Sequence, residues 1–421
     1  MLWSEKGPFL MTESKYHGQT TLDGSVALHG GTHSLRSYLQ LSDLDECAPD
    51  FEVWNINESS RRLAYLTHGV FRFFGKFPPP VAERFIRELH DASKGPIVDP
   101  MVGSGTTLLE AMRVGRHSIG FDTNPLCTLI SKVKTTYIPP ERIRHQLEGF
   151  DSGKNQLEPA DAIPKDRHTD HWFFKRTQNE LAIIRAFVDS LRDRDEDVYD
   201  ALRVSLAATV RQVSRASKGL GRMFLDPGLQ PRSAFEVFYD RSNELVRAIS
   251  SLKGLGPSPM VETRDARQTG LGDETAGLVI VHPPYFNLYK YSSIYRFELL
   301  WLGYDPKKVA SVEVKEGFKH GDPRLLPLYL KDMHDVLGEI ARILAPRCSC
   351  VLLVGDTVIK NRRVNTTSRL LRMISDLPLQ INRIVVRVPK YTEASYATAQ
   401  RRDRQEVGVK LADHLVIFQK I

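Results

Sequence analysis

Three acidic residues and one glycine-rich turn carry the first chemical signal in this 421-residue chain. Asp99 ends the short apolar run GPIVD, Asp122 ends HSIGFD, and Asp265 ends MVETRDA. Between the first two lies the turn Asp99-Pro100-Met101-Val102-Gly103-Ser104-Gly105-Thr106-Thr107. Glycines at a strand-to-helix junction let backbone approach a ligand where a side chain would collide. Two phosphate-binding fingerprints do not fit: no Lys follows Gly105, and Leu108 stands where G-x-G-x-x-G needs its third glycine. Three acids at the carboxyl ends of parallel strands would face one crevice. The acid after the second strand suits paired hydrogen bonds to ribose hydroxyls, and the acid after the third suits an adenine amine. A fourth motif, His282-Pro283-Pro284-Tyr285, directly follows the apolar run GLVIV. Alone it reads as a stiff turn or extended segment.

The elements that must position these residues alternate. GPIVD, a glycine turn, the helix LLEAMRVG and the strand HSIGFD give strand–helix–strand order, hence parallel strands joined by a right-handed crossover. This is the first half of a doubly wound α/β sheet. From 133 to 257 the pattern becomes helical, with apolar residues at i, i+3, i+4 spacing in HWFFKRTQNELAIIRAFVDSLRDRD and DVYDALRVSLAATVRQVSRA. Strands return at 260–266 and 277–285, followed by a helix near 326–345 and a strand at 348–356. A helix at 365–376 and strands near 380–388 and 413–420 complete the order. The expected division is a mobile arm at 1–50, a first half at 51–132, a helical insertion at 133–257, and a second half at 258–421. The piece just after residue 50 reads as turn-rich.

DPMVGSGTTLLEA, GFDTNPL and VIVHPPYFN together resemble the S-adenosylmethionine-dependent amino-methyltransferases of DNA, which modify cytosine N4 or adenine N6. The likeness spans roughly 67–135 and 258–356. It implies a class I methyltransferase (Rossmann-like) sheet with a helical insertion and S-adenosylmethionine as cofactor. It also implies double-stranded DNA as partner, with room for a cognate restriction endonuclease. GKFPPPVAERFI resembles the additional cofactor motif that lines the methionine pocket, which brings in Lys76 and Phe77. VETRDAR resembles the adenine-contacting motif. The implied cofactor residues are therefore Lys76, Phe77, Asp99, Pro100, Gly103, Gly105, Thr106, Asp122 and Asp265, and the implied catalytic residues are His282, Pro283, Pro284 and Tyr285.

In that family the residue before the two prolines is Ser in most N4 enzymes and Asp or Asn in most N6 enzymes. His282 departs from both. A neutral imidazole can accept one hydrogen bond from an amine, and an imidazolium cannot. The Pro-Pro segment offers fixed carbonyl acceptors, and Tyr285 offers a flat face for a base swung out of the duplex. The following run, FNLYKYSSIYRFELLWLG, resembles that after SPPY and favours cytosine N4. Adenine N6, an RNA amine, and a catalytically silent DNA-binding paralogue remain as rival readings.

Charge supplies the remaining expectations. The net charge is +7, from 58 basic and 51 acidic side chains. Residues 357–410 hold twelve basic against four acidic residues, so the surplus concentrates there. Arg401, Arg402 and Arg404 are the expected phosphate contacts, with Asn287, Tyr289 and Lys290, beside Tyr291 and Tyr295, as a basic-aromatic patch near the pocket. The insertion reads equally as target recognition or as a buttress for the sheet. Four scattered cysteines suit neither a disulfide framework nor a metal site. No 18-residue apolar run and no apolar signal-peptide core appear, so the expected location is cytoplasmic.

Overall fold

The structure, a computed structural model, describes residues 25–28, 31–34, 50–56, 62–153, 163–166, 168–217, 224–286, 290–314, 323–359, 362–389 and 413–421. Eight strands form one sheet: β1 (Asp50–Ile56), β2 (Ile97–Asp99), β3 (Ser118–Asp122), β4 (Met260–Thr263), β5 (Ala276–Val281), β6 (Leu344–Gly355), β7 (Leu379–Pro389) and β8 (Asp413–Lys420). Their order is β1-β7-β8-β6-β5-β2-β3-β4. Strand β8 runs antiparallel to both neighbours, and every other pair is parallel. From β2 the chain steps outward to β3 and β4, then returns to β5 on the other side of β2. A crevice opens at such a reversal, beyond the carboxyl ends of the strands. Seven of these strands, β2 to β8, with the antiparallel β8 wedged between β6 and β7, have the strand order expected of a class I methyltransferase sheet.

The edge strand β1 corrects the reading of this region as turn-rich. It pairs in parallel with β7, Asp50 opposite Arg383 and Ile56 opposite Pro389. Its period-2 signal was short, Phe51 and Val53 around Glu52. Within the expected arm, Ser25–Leu28 pairs antiparallel with Gly31–Ser34.

Both faces of the sheet are covered because its central strands are apolar throughout. Leu278 and Ile280 of β5 face helix α1 (Pro79–Leu89) through Val81 and Phe85. Val279 and Val281 alternate to the other face and join a cluster with Met333, Leu337 and Ile340. Prolines are tolerated at the start of α1 because first-turn N–H groups lack helical partners anyway. Helix α2 (Thr106–Arg113) follows the glycine turn, and α3 (Pro125–Lys134) follows β3. Asn124 caps α3, its side chain accepting the Leu126 N–H at 3.0 Å, with Pro125 at the first position.

Four longer helices fill 140–250: α4 (Pro140–Gly153), α5 (Lys175–Asp189), α6 (Glu196–Val210) and α7 (Ala234–Ser250). Ile184, Leu202 and Val246 from three of them share one core with Leu129, Ile130 and Val133 of α3 and with Phe297 and Trp301. The helices therefore rest on the shoulder of the sheet next to the crevice. Helices α8 (Leu326–Ile343) and α9 (Thr366–Met373) complete the described helices of eight residues or more. Among the described residues no helix is long and apolar enough to cross a membrane.

Candidate active site

The crevice is lined by residues from six separate regions of the chain, 73–77, 99–107, 122–127, 265–266, 282–291 and 312–314. Asp99, Pro100, Gly103, Thr106, Asp122 and Asp265 meet there with Lys76, Phe77, His282 and Pro284. Asp99 and Asp122 are the last residues of β2 and β3, and Asp265 lies two residues beyond β4.

The glycine turn is built to approach a ligand. Gly103 and Gly105 have φ of +50° and +73°, a region that L side chains rarely adopt. The Gly103 N–H donates to Asp122 Oδ2 at 3.0 Å, and the Asn124 N–H donates to Oδ1 at 2.9 Å. Behind the turn, Ser131 Oγ donates to the Gly103 carbonyl at 3.2 Å, and the buried Lys134 ammonium donates to the Ser104 carbonyl. Gly105 itself is not among the lining residues. A Cβ there would lie 2.9–3.0 Å from Ser131, so its bare backbone serves the approach of α3.

Burial pushes the Asp99 carboxyl up to about 7 and Asp122 to about 6. At Asp265 burial also pushes upward, but the Arg267 guanidinium and N–H outweigh it and hold the carboxyl below its ordinary value. Arg267 was not anticipated. It binds Asp265 through two nitrogens, at 2.9 and 2.7 Å, and reaches Asp332 at 2.8 Å and the Val312 carbonyl at 3.0 Å. Val312, Glu313 and Val314 form one wall of the pocket, and Glu313 accepts the N–H and hydroxyl of Ser292 at 2.9 and 2.7 Å.

Asn124 was also missed, although a capping Asn before Pro125 was visible in the chain. Its Nδ2 is buried, lines the pocket, and has no hydrogen-bond partner among the described residues. A pocket holding an orphaned donor, a bare glycine turn and acids at two strand ends fits an adenosine-type ligand with hydroxyls and an amine.

His282 faces the same pocket. Its ring meets Phe77 edge-on at 5.8 Å and Tyr285 at 5.4 Å, and it has no hydrogen-bond partner among the described residues. Burial lowers its pKa to about 4, so the imidazole is neutral at physiological pH. The Pro284 carbonyl accepts the Tyr329 hydroxyl at 3.1 Å. Pro283 is buried and does not line this pocket, and its carbonyl accepts no hydrogen bond among the described residues. Tyr285 does not line the cofactor-side pocket; its hydroxyl donates to Asp413 Oδ1 at 2.9 Å.

The aromatic patch divides. Tyr295 is buried, and its hydroxyl accepts the Phe74 N–H at 2.9 Å; Tyr291 donates to the Phe74 carbonyl at 3.1 Å. Both rings stack on Phe73, so they clamp the stretch carrying Lys76 and Phe77. The Lys76 ammonium is itself tied to the His68 carbonyl at 2.6 Å. Lys290 is half-buried just before Tyr291–Ile294, a short helix. Asn287, Tyr289, Arg401, Arg402 and Arg404 lie outside the described residues. Among the described residues no cluster of His, Cys, Asp and Glu could hold a metal ion.

With this geometry in place, the sequence matches a known family model. Residues 34–132 match the model described as DNA methylase. That stretch, which holds the glycine turn, Asp99 and Asp122, is similar to the DNA methylase family. It is similar to the type II methyltransferase M.MvaI of Kocuria varians, with 22% identity over 276 residues, 58% of this chain and 60% of that protein. It is also similar to M.BsoBI of Geobacillus stearothermophilus, with 24% identity over 277 residues, 58% and 54% of the two chains. A shorter likeness to M.MjaII of Methanocaldococcus jannaschii reaches 43% identity over 67 residues, 16% and 12% of the two chains. The chain thus spans 60% or less of the length of these relatives. The pocket's donors and acceptors fit the adenosine part of a cofactor such as S-adenosylmethionine.

Proposed function

We propose that the chain transfers a methyl group from S-adenosylmethionine to an exocyclic amine of a base in double-stranded DNA, with cytosine N4 preferred to adenine N6. The observation that carries this reading is the His282 ring: neutral, unpartnered among the described residues, and facing the pocket ringed by Asp99, Asp122 and Asp265.

In this reading Asp122 accepts from the ribose, and Asp265 lies at the adenine end. Lys76, Phe77 and the turn Gly103–Thr106 surround the methionine end, with Asp99, Pro100 and Asn124 between. The cofactor would supply an electrophilic methyl on sulfonium, so that the amine lone pair forms the N–C bond as the C–S bond breaks, and the methylated amine then gives up one proton to water. An aromatic amine is a poor nucleophile because its lone pair is delocalised into the ring. His282 and the Pro283 carbonyl accept its hydrogens and draw that pair back onto nitrogen. Tyr285 presents its face to the extruded base. His282 stands where Ser, Asp or Asn serves in the enzymes that the motif resembles; at this pKa the imidazole keeps one acceptor nitrogen.

Arg401, Arg402 and Arg404, with Asn287, Tyr289 and Lys290, are proposed to meet DNA, and the 133–257 helices to add contacts. A cognate restriction endonuclease is the partner this role would call for. The preference for N4 rests on the run after Tyr285.

The test is incubation with methyl-labelled S-adenosylmethionine, mixed-sequence duplex DNA and, in parallel, structured RNA, followed by mass spectrometry of nucleosides. N4-methylcytosine supports the full proposal, and N6-methyladenine keeps the mechanism but changes the base. Label in RNA alone overturns the substrate. Bound cofactor without label in either makes this chain a DNA-binding protein that kept the fold without the chemistry.

A further inference from the structure

Three neighbouring interior strands of the sheet, β6, β8 and β7, build a seat for Tyr285. Arg387 on β7, Asp413 on β8 and Gly355 on β6 occupy one line of register across three neighbouring strands: Arg387 pairs with Asp413, and Asp413 pairs with Gly355. Tyr285 lies over this line. Its hydroxyl donates to Asp413 Oδ1 at 2.9 Å, and the other carboxylate oxygen accepts from Arg387 Nη2. At Gly355 a Cβ would lie 2.7 Å from Tyr285 Cε2, so only glycine leaves room for the ring. On the far side of the motif, the Tyr329 hydroxyl holds the Pro284 carbonyl at 3.1 Å. The residue after the two prolines is therefore held at its ring, at its hydroxyl and through the preceding carbonyl.

We propose that Asp413, braced by Arg387, is a positioning residue that fixes the ring plane of Tyr285 through its hydroxyl, with Gly355 as the floor beneath the ring. The inference rests on the reading of Tyr285 as the face against which the target base stacks. Without the tie, the ring can turn about its side-chain torsions. A base stacking on it would then have to order the ring as well as itself, and the amine would meet the acceptors of His282 and Pro283 less often in line. Asp413 touches neither base nor cofactor in this scheme. Its effect passes through one phenol.

The first readout needs no activity. In protein carrying ring-labelled tyrosine, Tyr285→Phe identifies the Tyr285 resonance by its disappearance. Wild type should show slow ring rotation, and Asp413→Asn should show rotation faster by about tenfold or more. The second readout is single-turnover methyl transfer, with affinity for S-adenosylhomocysteine measured alongside. Tyr285→Phe and Asp413→Asn should each slow transfer by about tenfold or more while leaving that affinity unchanged. Their combination should be no slower than the slower single variant, because both cut the same tie. Gly355→Ala should slow transfer in the Tyr285→Phe background as well, since it lifts the ring and not the hydroxyl. Multiplicative losses, or a Tyr285→Phe variant at full rate, overturn the tie even if Asp413→Asn is unstable. A rotating wild-type ring overturns it as well. A slow ring in a wild type that methylates nothing would sink the proposed function and leave the seat standing.

Discussion

The carboxylate of Asp122 accepts the backbone N–H of Gly103 at 3.0 Å, joining the end of β3 to the glycine turn that leaves β2. The bond makes one group responsible for both the shape of the turn and the acid presented to the ligand. Asp122→Ala should therefore weaken binding of S-adenosylhomocysteine by about tenfold to a hundredfold, the range for losing a charge-assisted hydrogen bond. Calorimetric titration measures it, and an affinity within about twofold of wild type would remove Asp122 from the site.

Two titrations should separate in pH. Asp122, raised to about 6 by burial, takes up a proton as pH falls through that value, so cofactor affinity should drop below it. His282, lowered to about 4, stays neutral there, so the rate at saturating cofactor should hold until pH approaches 4. The same shift acts on stability. Between its unfolded value near 6.5 and its folded value, the unfolded chain binds more protons at His282, so that contribution is full above 6.5 and is lost as pH falls toward 4. A rate at saturating cofactor that halves near pH 6.5 would show that His282 titrates as an exposed histidine.

Glu110 on α2 is fully buried and accepts from Tyr65 at 2.6 Å, His68 at 2.8 Å and Arg113 at 2.8 Å. It ties the chain before Phe73 to the helix behind the glycine turn. Glu110→Ala leaves Tyr65 and His68 without this acceptor and Arg113 with its Glu83 ion pair alone, and should destabilise the fold by about 3 kcal/mol. Urea unfolding monitored by tryptophan fluorescence reads this directly, and a loss below about 1 kcal/mol would mark the network as inert.

Arg267 joins Asp265, the Val312 carbonyl and Asp332. Cutting that link should loosen the pocket wall at 312–314. Arg267→Ala is expected to raise the dissociation rate of S-adenosylhomocysteine by about tenfold, with a smaller change in association. Stopped-flow displacement distinguishes this from a loss confined to association, which would point to steering rather than closure.

Replacing Arg401, Arg402 and Arg404 by Ala should flatten the salt dependence of DNA binding, by about 0.9 in slope for each phosphate no longer neutralised. An unchanged slope would return the cluster to ordinary solvated surface.

The alternation of strand and helix, the acids closing β2 and β3, the glycine turn and the apolar run before His282 were all legible because each is a local pattern. Period-2 and period-3.6 hydrophobicity mark the elements, and a glycine or acid at a junction states its own constraint. Parallel topology then brings every such junction to one edge of the sheet, which is why residues from Asp99 to His282 could be assigned to one crevice from the chain alone. Edge strand β1 escaped because its period-2 alternation spans only a few residues.

The partners that hold the site were not legible, because strand register alone sets them. Asp413 lies 128 positions from Tyr285, and Arg387 comes opposite Asp413 only through the pairing of β7 with β8. The neutral state of His282 has the same origin: imidazole chemistry was evident in the chain, but only packing against Phe77 and Tyr285 removes the water that would let it hold a proton. Local spacing determined which groups could act on a nucleoside-like ligand. Burial and cross-strand pairing decided which of them are fixed, which are neutral and which are already spoken for.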